Sequence, residues 1–154
     1  MSREGIIEDP RKIYTRPIVV SLGVCIFGEL LLFILYGIVL YPQGNLLYKF
    51  LWTVVFCGIG MGTTVGAFVN LFIIDKYSGI KAIIFTILLT FVTLGVLCNL
   101  LCLQLDLHFH YFGAETNPIL FTTGSIAGSV VAGLIIALLL FSVKGDNILH
   151  RFGF

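Results

Sequence analysis

The sequence predicts an all-α integral membrane protein: a four-transmembrane-helix antiparallel bundle with both termini in the cytoplasm. Three observations carry that expectation. Hydrophobic residues fill 58% of the 154 positions and charged residues only 11%, whereas a soluble domain carries roughly 25% charge. Four apolar stretches reach the roughly 20 residues needed to cross a hydrocarbon core of about 30 Å. Eight of the nine Lys and Arg residues then fall on one side of the arrangement those stretches impose. With a mean hydropathy of +1.08, the chain has no material for a water-facing surface. That excludes a cytosolic enzyme, a nucleic-acid binder and a disordered tail, and a net charge of +1 gives no field to steer an acidic partner.

The elements follow in order. Residues 1–17 form a polar N-terminal tail, and the first span covers about 18–40, ending at Tyr41-Pro42. The second covers about 51–73, between Lys49 and Asp75-Lys76, and the third about 80–103, after Tyr77-Ser78-Gly79. The fourth covers about 119–143, after Asn117-Pro118, and residues 144–154 form the C-terminal tail. Residues 18–143 are thus one transmembrane domain with short connections, so consecutive helices should be antiparallel neighbours. No period-2 alternation suggests a barrel.

Basic residues set the orientation. Arg3, Arg11, Lys12 and Arg16 lie in the first tail, Lys76 and Lys81 around the second connection, and Lys144 and Arg151 in the last tail. Lys49 is alone on the opposite side. The first apolar run is too long for a cleaved signal and lacks a small-residue cleavage site, so it reads as a retained anchor. A bacterial inner or plasma membrane, or an equivalent organellar membrane, is the expected location.

Small residues mark the helix-packing faces. Gly58, Gly62 and Gly66 repeat every four residues in the second span. In the fourth, Gly124, Gly128 and Ala132 form one row, with Ser125, Ser129 and Gly133 beside it. Small side chains let backbones approach where lipid removes the hydrophobic drive to associate. Either both spans pack tightly within the bundle, or one row packs inside and another meets a second subunit. Cys25, Cys57, Cys98 and Cys102 all fall in spans without a C-x-x-C pair, and read as small buried hydrophobes.

Glu29 is the chemically expensive residue. A central acidic side chain costs about 2.5–3.5 kcal/mol in a spanning helix and should face the bundle or water. Thr63, Thr64, Thr90, Thr93 and Ser129 stand at similar depth, while no Lys, Arg or His does. Three roles remain open: a carboxyl tying helices together through hydroxyls, a proton- or cation-coupled site, or a contact to a basic residue of a partner. A short four-helix chain with Gly28-Glu29 in its first span resembles the small multidrug resistance transporters. The resemblance implies an acid that binds protons and cationic compounds within a homodimer. It is confined to the architecture and that pair. This chain is longer, lacks a basic residue after Tyr41-Pro42, and has a one-sided charge bias.

The connection after the third span holds a second candidate. Asp106, His108 and His110 alternate, so an extended segment would project them from one face, with Glu115 closing a set suited to Zn, Cu or Fe. Phe109, Tyr111 and Phe112 support a different account, an aromatic anchor at headgroup level. No His lies inside a span, which argues against bis-His haem. No phosphate-binding loop, nucleophile elbow or zinc-protease helix motif appears, which argues against an enzyme.

The expected function is an accessory or structural subunit of a larger membrane complex. The alternatives are a homo-oligomeric proton- or cation-coupled small transporter or channel using Glu29, and a metal- or cofactor-binding unit at residues 106–110. The expected partners are the lipid bilayer and other membrane-protein subunits or further copies of the chain, with no nucleic acid. Bound lipid is expected, no other cofactor, and a metal only under the last alternative.

Overall fold

The computed structural model describes residues 10–153, with side chains from residue 15 onward. Arg3 therefore lies outside the described residues, as do the side chains of Arg11 and Lys12. The described chain is helical throughout apart from its connections. Helix α1 covers residues 10–40, α2 Leu46–Ile74, α3 Ile80–Phe109, α4 Pro118–Phe141 and α5 Val143–Arg151. The first four contain stretches long and apolar enough to cross a membrane.

Four boundaries differ from the sequence reading, the start of α2 among them, at Leu46 rather than 51. Helix α1 is already helical at Pro10, where the described residues begin, rather than from residue 18. Helix α3 runs to Phe109 rather than 103. The tail expected over 144–154 contains the amphipathic helix α5.

Local chemistry explains where each helix starts and stops. Asn45 caps α2, its side-chain oxygen accepting from Leu47 N at 2.9 Å and Tyr48 N at 3.4 Å. Gly79 turns the chain into α3 at φ 59°, a conformation that disfavours a Cβ. Asn117 caps α4 through Leu120 N at 3.1 Å, with Pro118 in its first turn. Ser142 leaves the helix at φ −109° and ψ 149° and then caps α5, accepting from Gly145 N at 3.0 Å.

Parts of the spanning helices are π-helical, at Phe33–Leu40, Leu51–Met61, Val69–Ile74 and Phe91–Cys98. Tyr41 N–H closes the first of these on Tyr36 O, five residues back, at 2.9 Å. The junction residues Leu32 (φ −61°, ψ −43°) and Gly62 (φ −60°, ψ −43°) keep ordinary right-handed helical angles, so the axes continue.

Packing runs most extensively between α1 and α2 and between α3 and α4, and the pairs α2–α3 and α1–α4 close the ring. Glycines set the antiparallel register. A Cβ on Gly58 would meet Ile26 Cα at 3.2 Å, one on Gly62 would meet Leu22 Cα at 3.1 Å, and one on Gly66 would meet Ile18 Cα at 2.5 Å. The partners step back by four as the glycines step forward by four. On the other pair, Gly133 faces Ile87 Cα at 3.0 Å and Gly95 faces Ser129. Gly58, Gly62, Gly66 and Gly133 are the row glycines that lie against the backbone of a neighbouring helix. Large apolar side chains such as Phe27, Leu35 and Leu71 cover the outside, as a lipid-solvated surface requires.

The bundle has two ends. The proximal end carries both described chain ends and the α2–α3 turn. The distal end carries the α1–α2 and α3–α4 connections. At the proximal end, Arg16 Nη2 meets Asp146 Oδ1 at 2.6 Å, tying the start of α1 to α5.

Candidate intramembrane site

Glu29 is positioned by the α1–α2 contact: its Cβ would lie 3.5 Å from a Cβ built on Gly58. The side chain is half-buried and lines a small cavity of about 50 Å³ with Cys25, Leu94, Ser125 and Ser129. Helices α1, α3 and α4 thus all reach it. Among the described residues Glu29 makes no hydrogen bond or ion pair. The expected hydroxyl partners are spent elsewhere. Thr63 donates to Ile59 O at 2.7 Å and faces outward, and Thr64 donates to Gly60 O at 2.9 Å. Thr90 donates to Thr86 O at 2.8 Å and Thr93 to Leu89 O at 2.9 Å. Ser129 is beside the carboxyl yet donates to Ile126 O at 2.8 Å. Back-bonding to the preceding turn is the ordinary resting state of a helical hydroxyl, so the carboxyl is left without a donor.

The cavity backs onto a larger groove. Between α1 and α4 an apolar space of about 490 Å³ opens to the outside. Gly28, Leu32, Gly128 and Ala132 line both spaces. A Cβ added at Gly28, Gly124 or Gly128 would meet nothing within 4 Å. Gly124 and Gly128, from the small-residue row of the fourth span, stand on the floor of this open groove. Glu29 lies directly behind that floor.

At the distal end the structure takes the metal candidates apart. Residues 104–109 are helix, not the extended segment expected, so residues two apart point to different faces. Asp106 is fully buried and accepts three backbone amides: Phe112 N at 2.6 Å, Gly113 N at 3.2 Å and Glu115 N at 3.1 Å. His108 is exposed, with Nδ1 3.0 Å from Gln104 O. His110 ends α3 in a left-handed conformation (φ 52°, ψ 41°), and its Nδ1 meets Glu115 Oε1 at 2.5 Å. The structure therefore pairs His110 with Glu115 and commits Asp106 to the loop backbone. Among the described residues no group of three or more His, Cys, Asp or Glu is placed to hold a metal ion. His108 also falls on the third apolar helix, although the sequence reading placed every His outside a span. The aromatic account divides likewise: Phe109 is exposed and stacks on Tyr111 at 5.3 Å, while Phe112 is buried.

No known protein family matches the chain, and no curated protein or solved structure does.

Two arrangements escaped the sequence reading. Lys49, read as the lone basic residue on its side, is only 1% exposed. Its Nζ donates to Gly37 O at 2.9 Å and to Tyr41 O, and stands 4.7 Å from the Tyr41 ring centre. The free carbonyls at the end of α1 carry the negative pole of the helix and attract a cation. Its position shortly after a helix end was the one available signal. The four cysteines also converge: Cys25 from α1, Cys57 from α2, and Cys98 with Cys102 from α3 belong to one buried cluster, all as free thiols. Spacing shows the last two one turn apart, but only packing joins them to the others.

Proposed function

We propose that the protein is an accessory subunit of a larger membrane complex, and that the α1–α4 groove receives a transmembrane helix of its partner. One observation carries this reading: the open space above Gly28, Gly124 and Gly128, directly in front of an unpartnered Glu29. In lipid, small residues earn their place by letting another backbone come close. The α2 row and Gly133 already do so within the chain, whereas Gly28, Gly124 and Gly128 have no neighbour to serve. A carboxyl at mid-membrane favours a hydrogen-bond donor or cation on whatever fills the groove. Both termini lie in the cytoplasm in this reading, supported by the basic residues gathered at the proximal end.

Purification from native membranes in mild detergent, with mass determination and identification of everything retained, tests the proposal. A stoichiometric second protein supports it. A chain recovered alone, with the groove as accessible to a membrane-soluble thiol reagent (through Gly128→Cys) in native membranes as after purification, overturns it.

A second reading is favoured by the cavity itself. About 50 Å³ beside Glu29, with Ser125 and Ser129 in its wall, is space for a water-sized guest. That suits a homo-oligomeric transporter or channel moving protons or small cations. A clean homo-oligomer with a Glu29-dependent flux in liposomes would move the assignment there. The metal-binding alternative gains no support from the separated positions of Asp106, His108 and His110.

A further inference from the structure

A second groove lies between α2 and α3, at the proximal end. It measures about 500 Å³, its apolar wall includes Phe68, Phe72, Phe85 and Val92, and Lys76 and Tyr77 stand at its mouth. From Ile80, beside that mouth, to Val92 is about 18 Å along α3 at 1.5 Å per residue. The groove therefore follows the helix pair from headgroup level past the middle of a hydrocarbon core of about 30 Å.

Charge is confined to one point of this surface. Among the described residues Lys76 is the only ionisable one of the lining apart from the Tyr77 phenol; its Nζ stands 5.3 Å from the Phe72 ring centre. It enters no ion pair among the described residues. Asp75 adjoins it in sequence but is not part of the groove wall. Lys81, exposed in the first turn of α3, adds a second positive charge to the same turn. Tyr77 packs against Phe85 in the groove wall, their ring centres 4.5 Å apart, and a tyrosine at this level is a usual interfacial anchor.

We propose that this groove binds one anionic phospholipid, with its phosphate at Lys76 and one acyl chain along Phe72, Phe85 and Val92. A cation above a purely apolar slot complements an anionic head above a hydrocarbon tail, and nothing deeper in the slot offers a partner to a polar guest. A partner helix would meet a lone ammonium at one end and no hydrogen-bonding group below it. This site is independent of Glu29 and of the α1–α4 groove.

The full chain reconstituted in nanodiscs of phosphatidylcholine with a minor fraction of phosphatidylglycerol, then read by native mass spectrometry, tests the site. The wild type should retain one phosphatidylglycerol per chain in preference to phosphatidylcholine. Lys76→Gln should lower that retention about five-fold, which corresponds to the ~1 kcal/mol contributed by one lysine near an anionic surface. Val92→Trp, which fills the deep end, should lower retention of both lipids, and Lys144→Gln, outside the groove, should change neither. Equal retention of the two lipids by the wild type overturns the proposal, as does an unchanged Lys76→Gln. Full phosphatidylglycerol retention by Val92→Trp would place the lipid on the surface and overturn it too.

Discussion

Gly66 of α2 and Ile18 of α1 are backbone neighbours: a Cβ on Gly66 would stand 2.5 Å from Ile18 Cα and 2.9 Å from Pro17 O. Both obstacles are main chain, so no rotamer change can relieve them. Gly66→Ala should force the helices apart and cost about 1–3 kcal/mol, the usual range for overpacking. Thermal unfolding in detergent reads this directly, and a Gly66→Ala protein that melts with the wild type would show that α1 and α2 do not meet here.

The contrast with α4 supplies the control. Gly124→Ala adds a methyl group where nothing lies within 4 Å, so the isolated chain should melt within about 0.5 kcal/mol of the wild type, as at ordinary surface positions. A large loss would mean that the α1–α4 groove is closed in the membrane.

Those two glycines show what the sequence made legible and what it did not. Four helices, their order and their neighbours follow from length and hydropathy, because lipid leaves the backbone so few ways to satisfy its hydrogen bonds. The i,i+4 glycine rows announce close packing, but a row looks the same whether its partner is in the chain or absent. Gly62 and Gly128 are indistinguishable until the neighbours are placed. Glu29 was legible as a site because charge in lipid is costly wherever the helix turns. The fate of Thr63 and Thr64 was not, since depth says nothing about azimuth. The Asp106 segment misled for a related reason: its alternating polar residues fit an extended chain, yet the helix continued because the buried carboxylate could close the following turn on itself.

Asp106 should therefore behave as a loop anchor. Asp106→Ala strands the amides of Phe112, Gly113 and Glu115, and one buried donor left unsatisfied costs about 1–3 kcal/mol. Asp106→Asn keeps an acceptor oxygen and should fall between the two. A chelator should leave all three melting temperatures unchanged; a chelator-induced drop in the wild type alone would restore the metal reading.

The Arg16–Asp146 pair predicts a local effect without a global one. Its side chains are 22% and 50% exposed, and such pairs contribute about 0.2–1 kcal/mol. Asp146→Asn should barely move the melting temperature but should speed hydrogen exchange over 143–151, because the pair is the tie between α1 and α5. Uniform exchange in both proteins would mean that Leu149 and Gly145, buried against the bundle, hold α5 by themselves.

The two readings of the α1–α4 site part company in one pair of variants. Gly124→Leu places a branched side chain on the groove floor and lies outside the small cavity that Glu29 lines. Glu29→Gln leaves the floor open but removes the titratable group. If a partner helix occupies the groove, Gly124→Leu should lower the co-purified partner about ten-fold for a clash of ~1.4 kcal/mol. Glu29→Gln, which still offers hydrogen bonds, should lower it less. If instead Glu29 carries protons or cations through the small cavity, Glu29→Gln should abolish flux in liposomes with assembly intact, and Gly124→Leu should spare it. The quantities to measure are partner stoichiometry and liposome flux on the same two preparations. A Gly124→Leu protein that keeps its full complement of partner would mean that the open glycines of α4 face only lipid, and the docking surface would have to lie elsewhere on the bundle.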